Sequence, residues 1–371
     1  MFKETMNKTI HIGSLKVGGD NPAIFIAELG VNIFPAEYKT DNPVRELIEN
    51  AKKMIDQAVR AGAHIAKFQT FVAERLIRVK APKAAYQDRN IGTVKSQFDM
   101  LKELELTSEV AKELKAYCEE KGIIFLSTAY DPVAVDELEE LGVLAYKLAS
   151  IETVNHPLIR RTAQTGKPVI LSVGLANETE VMAAVSAFRD EAEKSKTSPD
   201  NLILLQCNTN YPAHPEDQNL RAMESLRKYV SVVGFSDHTE GPISSIAAAA
   251  LGAKVFERHF TDDKTRNGPD HKASMEPQEF KEFVDAVCVV EKALGTPEIH
   301  PRGGELENIT GMRKSICAVV DIKKGEIITA SHIGAKRPGN GVYAMDGNLA
   351  RIIGKKAKRD ILFDENVTFA D

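Results

Sequence analysis

Six ionisable side chains stand at the ends of short apolar runs. Glu28 closes AIFIAE, Lys67 lies in AHIAKFQ, Lys147 in LAYKLAS, His238 just past SVVGFS, and Glu257 and His259 at the end of AKVFER. If the last two runs are neighbouring strands, their backbones lie about 4.8 Å apart, and His238 and His259 are near enough to converge on one divalent cation. Imidazole suits a transition metal, and two protein ligands leave positions open for water and substrate. The same pair equally suits two hydrogen-bonded histidines of the framework, or one general acid. A third histidine, His271 in GPDHKAS, reads as a loop hydrogen-bonder. Lys67 and Lys147 share their rim with the hydroxyls of Ser150, Ser172 and Ser236. A point charge plus several hydroxyl donors makes a cradle for phosphate or carboxylate. Pairing of these lysines with Glu28 or Glu257 is the alternative. The sequence holds no phosphate loop of the G-x-x-x-x-G-K-[ST] type and no convincing G-x-G-x-x-G, so a small phosphorylated acid fits better than a nucleotide.

The elements that must position these residues alternate along the chain. From Ala23 to about Phe260, short runs rich in Ile, Val, Leu and Phe suit strands buried on both faces of a parallel sheet. They begin at Ala23, Ala63, Ile123, Leu144, Pro168, Leu202, Ser231 and Ala253. Between them the spacing is helical, as in Leu47, Ile48, Ala51, Met54, Ile55, Ala58 and Val59, which share one face. Asp131-Pro132 supplies an N-cap and a first-turn proline, and Ala-Gly, Lys-Gly, Leu-Gly and Thr-Gly pairs supply helix stops. Eight repeats without a reversal predict an α/β fold, a closed (β/α)8 barrel. In such a barrel the strand ends, including Gln69, Ser127, Thr128, Asn208, Asn210 and Asp237, meet on one rim, where active sites form. A lone Ser or Thr there is ordinary. Charges of both signs on one rim need partners or ligands.

Composition narrows the class. The chain has 371 residues, room for a barrel of about 250 residues plus a small domain. A formal net charge of -5 with interspersed signs gives no nucleic-acid footprint. No stretch reaches the length of a membrane span, and the opening MFKETMNKTIHIG has no apolar signal core, so a cytoplasmic protein is expected. Cys118, Cys207, Cys288 and Cys317 are too scattered for a disulfide framework or a zinc knuckle.

Past Leu294 the pattern changes. Residues 295–312, rich in Gly, Pro and charge, read as a linker, and 313–371 as small β elements joined by Gly turns. So small a unit needs something to pack on. Arg337, in the stiff loop KRPGNG, either clamps a hydroxylated or anionic ligand or is a solvated turn residue.

These motifs together resemble the sialic acid synthase family, which makes N-acetylneuraminate, legionaminate and pseudaminate. The resemblance spans nearly the whole chain, through IAELG, KFQTF, APKAAYQ, FLSTAYD, YKLAS, NYPA, GFSDHT, ERHFT, GPDHKAS and KRPGNG in order. It implies a barrel followed by an antifreeze-like (SAF) domain, in a domain-swapped homodimer whose SAF domains cover the partner's barrel mouth. It implies that His238 and His259 hold Mn2+, with Mg2+ or Co2+ as alternatives. It assigns Lys147, Ser150, Ser172 and Ser236 to the phosphate of phosphoenolpyruvate, with Lys67 and Gln69 nearby. Thr209 would also touch it, though some members carry asparagine there. Glu28, Tyr211 and Asp270 would face an acetamido sugar, with Arg337 reaching in from the partner, and Glu257 would move protons or orient the metal site.

The implied reaction joins phosphoenolpyruvate to N-acetylmannosamine or a related acetamido sugar and releases phosphate. Three departures stand out. GVNIFP replaces GVNHNG or GINHNG after the first strand, Gln206 stands where His is frequent, and Arg258 where Lys is frequent. The first lies towards the sugar and leaves the acceptor open. A synthase of the keto-deoxy-octulosonate phosphate type and a non-catalytic sugar-binding scaffold are the competing readings. Ice binding is disfavoured by Lys355, Lys356, Lys358 and Arg359.

Overall fold

The computed structural model describes residues 8–35, 37–83 and 96–371. Part of the APKAAYQ motif, residues 84–87, and the start of the N-terminal segment, residues 1–7, lie outside them. The chain forms two compact units, Met1–Gly295 and Thr296–Asp371.

In the first unit, a two-stranded antiparallel hairpin, β1 (Ile10–Ile12) and β2 (Leu15–Val17), precedes the repeats. Strands β3 (Ile24–Glu28), β4 (Ile65–Thr70), β5 (Ile124–Ala129), β6 (Tyr146–Leu148), β7 (Val169–Ser172), β8 (Leu202–Cys207), β9 (Val232–Asp237) and β10 (Val255–His259) follow. They pair in parallel, each with the next, and β10 closes on β3. The helices α1 (Pro43–Arg60), α2 (Ser108–Lys121), α3 (Pro132–Leu141), α4 (His156–Gln164), α5 (Glu178–Lys194), α6 (Ala222–Leu226), α7 (Ile243–Ala250) and α8 (Pro277–Leu294) complete the (β/α)8 barrel.

Local chemistry sets the helix ends. Asp131 accepts the Ala134 N–H at 2.9 Å ahead of Pro132, and Asn42 accepts that of Arg45 at 3.1 Å ahead of Pro43. Asn177 and Glu180 close a capping box on α5. Gly122 and Gly142 end α2 and α3 in the left-handed conformation, where a Cβ would be strained.

Alternation within the strands divides the interior. One cluster holds Ile24, Ile26, Ile65, Leu126, Ala145, Ile170, Ile203, Leu205, Val232 and Val255, with Ile10, Ile12 and Val17 of the hairpin. It fills the barrel, and the hairpin plugs it from the end where the strands begin. Phe25, Ala27, Phe68, Phe125, Phe235 and Phe256 face the other way and pack under the helices. Side chains two residues on from the last inward apolar ones continue the interior upward, and these are Glu28, Lys67, Thr128, Lys147 and Ser172. Gly234 is the inward residue of β9 below Ser236; a Cβ there would lie 2.2 Å from the Val255 carbonyl oxygen, so only glycine fits.

Outside that interior, Glu152 is buried after β6, where Asn155 Nδ2 donates to it at 2.6 Å. Burial, with Asp131 adding to it, pushes its carboxyl from 4.5 up to about 7. A raised folded-state pKa favours the protonated form, so this contribution is full below 4.5 and lost as pH rises to about 7. Glu152→Gln is expected to match the parent at pH 4.5 and to exceed its stability by about 2–3 kcal/mol at pH 8, as read by denaturant melts.

The second unit has a core of Ile316, Ala318, Ile322, Ile328, Ile333, Ile352, Ala357, Ile361 and Val367. Strands β11 (Ser315–Ala318) and β12 (Ile333–Lys336) pair antiparallel, with isolated bridges such as Ile322 to Ile361. Two helices were not expected from the sequence. α9 (Glu305–Met312) lies in the stretch read as a linker, and α10 (Asp346–Ile352) among the small β elements. Among the described residues no helix is long and apolar enough to cross a membrane.

Candidate active site

Barrel register brings the strand-end residues face to face. Glu28 is opposite Lys67 on one side and His259 on the other; Thr128 is opposite Lys147, and Ser236 opposite Glu257. Thirteen of the barrel residues singled out in the sequence line one cavity of about 770 Å3: Glu28, Lys67, Gln69, Lys147, Ser150, Ser172, Thr209, Tyr211, Ser236, His238, Glu257, His259 and Asp270. Thr128, Asn208 and Asn210 line it too, whereas Ser127 and Asp237, expected on the same rim, do not, because alternation along their strands turns them to the other face. Arg337 belongs to the other unit, where it is exposed after β12.

Two cations are buried at the cavity floor. Lys67, 4% exposed, reaches Glu28 Oε2 at 2.7 Å, off the hydrogen-bonding axis, and Glu257 Oε1 at 3.5 Å. It also donates to Thr128 Oγ1 at 3.0 Å. Lys147, 2% exposed, donates to Ser172 Oγ and to the Leu148 carbonyl, both at 2.8 Å, and stands 3.8 Å from Glu257 Oε2. The pairing of lysines with Glu28 and Glu257 thus exists, alongside the hydroxyl cradle. Gln69 donates to Glu28 Oε1 at 2.6 Å, and Ser236 to Glu257 Oε1 at 3.2 Å. Ser150 sits in a turn beyond β6, where its hydroxyl accepts the Gly174 N–H at 3.0 Å.

The charges are unevenly matched. Burial lowers Lys147, and Glu257 only partly offsets this. Burial acts the same way on Lys67, but Glu257 and Glu28 outweigh it and hold the ammonium. Burial drives Glu28 above the usual carboxylate range even against the pull of Lys67. For Glu257, burial is overcome by Lys147 and Lys67, which keep it ionised. Yet Glu257 Oε2 is buried with no hydrogen-bond donor. Such an atom is costly unless a ligand or water satisfies it.

The histidines meet across the same cavity, with ring centroids 5.3 Å apart. Tyr211 packs on both, at 4.0 Å from His238 and 5.5 Å from His259. His238 Nδ1 lies 2.5 Å from the Asn208 carbonyl, which fixes that nitrogen as the donor and leaves the Nε2 lone pair available as an acceptor or a metal donor. Burial, with His238 adding to it, holds His259 well below its ordinary value and so in the neutral form that binds metals. Asp270 Oδ2 is 3.6 Å from His259 Nδ1, and burial followed by Glu28 pushes its carboxyl up to about 7. Among the described residues no group of three or more His, Cys, Asp or Glu gathers as a complete metal cage. The donors present fit an open site of two imidazoles, with the remaining positions left for water and substrate.

Residues missed in the sequence also line this cavity. Cys207 Sγ is 3.9 Å from His238 Nδ1, and an apolar flank comes from Leu76, Ile77, Met100, Leu101 and Leu104. Period-two spacing from Ile203 and Leu205 would have placed Cys207 inward. No periodicity reaches the flank, which comes from the long β4–α2 connection. His271 behaves as read, its Nδ1 sharing a hydrogen bond with Thr261 Oγ1 at 2.8 Å.

Known proteins bear on this arrangement. Residues 54–298 match the NeuB family and residues 313–371 the SAF domain. The N,N'-diacetyllegionaminic acid synthase of Campylobacter jejuni is 41% identical over 92% of this chain and 99% of its own. Human N-acetylneuraminate-9-phosphate synthase is 34% identical over 95% of this chain and 93% of its own. A crystal structure of the N-acetylneuraminic acid (sialic acid) synthetase of Leptospira borgpetersenii, in complex with citrate, aligns with a TM-score of 0.68 at 32% identity, over 82% of this chain and 96% of that one. A barrel with this polar rim, followed by a SAF domain, places the chain in the NeuB family, the sialic acid synthases.

Proposed function

We propose that this protein condenses phosphoenolpyruvate with an open-chain acetamido sugar, forming a nine-carbon 2-oxo acid and releasing inorganic phosphate. The observation that carries the reading is the buried Lys147–Ser172 pair beside Lys67 and the facing histidines, all in one cavity. Phosphoenolpyruvate brings a carboxylate and a phosphate, and two buried ammonium groups with nearby hydroxyls match that charge.

The chemistry is a carbon–carbon bond formation followed by loss of phosphate. C3 of phosphoenolpyruvate attacks the aldehyde carbon, and the aldehyde oxygen takes up a proton. Water adds at C2, which has become electron-poor, and the tetrahedral intermediate expels phosphate by breaking its C2–O bond, while the new C2 hydroxyl passes its proton to the departing phosphate and becomes the carbonyl. Lys147, Ser150, Ser172 and Ser236 hold the phosphate, with Lys67, Gln69 and Thr209 beside it, so the dianion leaves into a prepared site. Glu257, between the lysines and with Oε2 open, takes the proton of the attacking water. Glu28, Tyr211 and Asp270 orient the sugar and relay its proton. A divalent cation, Mn2+ or else Mg2+ or Co2+, held by His238 and His259, would polarise the aldehyde as a Lewis acid. Holding both substrates together supplies much of the remaining rate. We also propose a cytoplasmic homodimer in which Arg337 serves the other copy's sugar.

Phosphoenolpyruvate labelled with 18O in its bridging position tests the bond cleaved. The label is expected in the released phosphate; label retained in the organic product would contradict the mechanism. The apolar flank favours an acceptor with a second acetamido group and a C6 methyl over N-acetylmannosamine. One added apolar group in a fitted pocket gives roughly 10–100-fold in kcat/KM, which parallel assays with the two sugars measure.

A further inference from the structure

We infer that Arg258, through its buried pair with Asp237, is the positioning residue that sets the spacing of His238 and His259. The inference rests on the reading of those histidines as a metal pair.

Each histidine follows one member of the ion pair directly, as Asp237-His238 and Arg258-His259. Side chains alternate along a strand, so the histidines point into the barrel and the pair points outward behind them. Arg258 is 1% exposed and Asp237 fully buried, with Arg258 Nη1 2.5 Å from Asp237 Oδ2. The register between β9 and β10 ends at Arg258 opposite Asp237. Beyond it, His259 is tied to β3, where it stands opposite Glu28, and the His238 carbonyl accepts the Ala213 N–H at 2.9 Å. Between the two histidines, the outward side chains take over where the backbone ladder stops.

The guanidinium suits this work because it serves three partners at once. It forms the ion pair with Asp237 and donates to the Thr239 carbonyl at 2.6 Å and to the Gly241 carbonyl at 3.2 Å, gripping the loop that leaves His238. Asp237 is braced in turn. Its Oδ1 accepts the Thr239 N–H and hydroxyl, both at 2.8 Å, and its Oδ2 accepts the Ser245 hydroxyl of α7 at 2.6 Å. A lysine would keep the charge but not the span to both carbonyls. Arg258 therefore answers the departure noted in the sequence.

The test is Mn2+ affinity of the full-length protein, read from free-ion electron paramagnetic resonance, beside the melting temperature. Outer partners of metal ligands typically govern about 10–100-fold in affinity. Arg258→Met is expected in that range and Arg258→Lys nearer the lower end. Ser245→Ala, which leaves the ion pair in place and so spares the fold, is expected to weaken binding about threefold or more, with phosphoenolpyruvate binding in metal-free buffer within twofold of the parent. Unchanged Mn2+ affinity in Arg258→Lys and Ser245→Ala, whatever their melting temperatures, overturns the inference and leaves the pair a structural staple. His259→Gln is the control for the underlying reading. A parent protein that binds no Mn2+, or binds it equally well without His259, overturns the metal pair itself and the inference with it.

Discussion

Replacing Lys147 with methionine is expected to lower kcat/KM for phosphoenolpyruvate roughly 100- to 1000-fold while leaving the fold intact. Of the two buried lysines of the cavity, Lys147 is the less compensated by the protein. Its carboxylate neighbour stands at 3.8 Å, whereas Lys67 has Glu28 at 2.7 Å. An incoming phosphate would complete the coordination of its ammonium and raise the pKa that burial depresses. Truncating one partner of a buried, hydrogen-bonded charge pair costs about 2–5 kcal/mol, and each 1.4 kcal/mol is tenfold. Methionine fills much the same volume without the charge, so a melting curve close to that of the parent is expected. Lys147→Arg should rescue little, because a planar fork does not reproduce the contacts to Ser172 and the Leu148 carbonyl. Phosphate release at varied phosphoenolpyruvate concentration measures the effect. A loss under threefold would remove Lys147 from the phosphate cradle.

His238→Ala is expected to remove Mn2+ binding and to lower turnover about 1000-fold, since Lewis-acid polarisation of a carbonyl is worth several kcal/mol. His238 Nδ1 is fixed by the Asn208 carbonyl, so its other nitrogen faces the cavity. The effect separates from one on phosphoenolpyruvate binding, because the phosphate cradle lies around Lys147 and Ser172. Direct titration calorimetry with phosphoenolpyruvate in metal-free buffer should therefore give the parent affinity. Full turnover in His238→Ala would assign the histidine pair to the framework.

The barrel was legible because its signal repeats. Each strand carries branched apolar residues and ends in polar ones, and each gap carries a helical stripe and a capped end. Most candidate residues of the barrel were legible for the same reason, since strand ends share one rim, but Thr209, Tyr211 and Asp270 lie in loops beyond β8 and β10 and came only from the family resemblance. Within a strand the inward and outward positions were harder to separate. Both faces are buried, so Phe25 and Ile26 look alike in sequence although one faces the helices and the other the barrel interior. The hairpin Ile10–Val17 escaped because three-residue strands carry too little pattern, and its part as the barrel plug appears only in the cluster it joins. Helix α9 escaped because none of its residues is buried, which leaves no apolar stripe, and Gly304 and Gly311 suggested a loop. The apolar flank of the cavity draws on Leu76 and Met100, far apart in a connection that no strand period describes. The departures were visible as letters but not as consequences. Ile33 packs into the outer core rather than lining the cavity, and Gln206 donates to the Gln218 carbonyl at 3.0 Å, pinning the loop that carries Thr209 and Tyr211.

The most direct measurement is phosphate release from phosphoenolpyruvate with Mn2+, run in parallel with N-acetylmannosamine and 2,4-diacetamido-2,4,6-trideoxymannose. The predicted result is release that requires sugar, is faster with the diacetamido sugar, stops with EDTA and returns with added Mn2+. Folded protein that releases no phosphate with either sugar would contradict the proposed condensation.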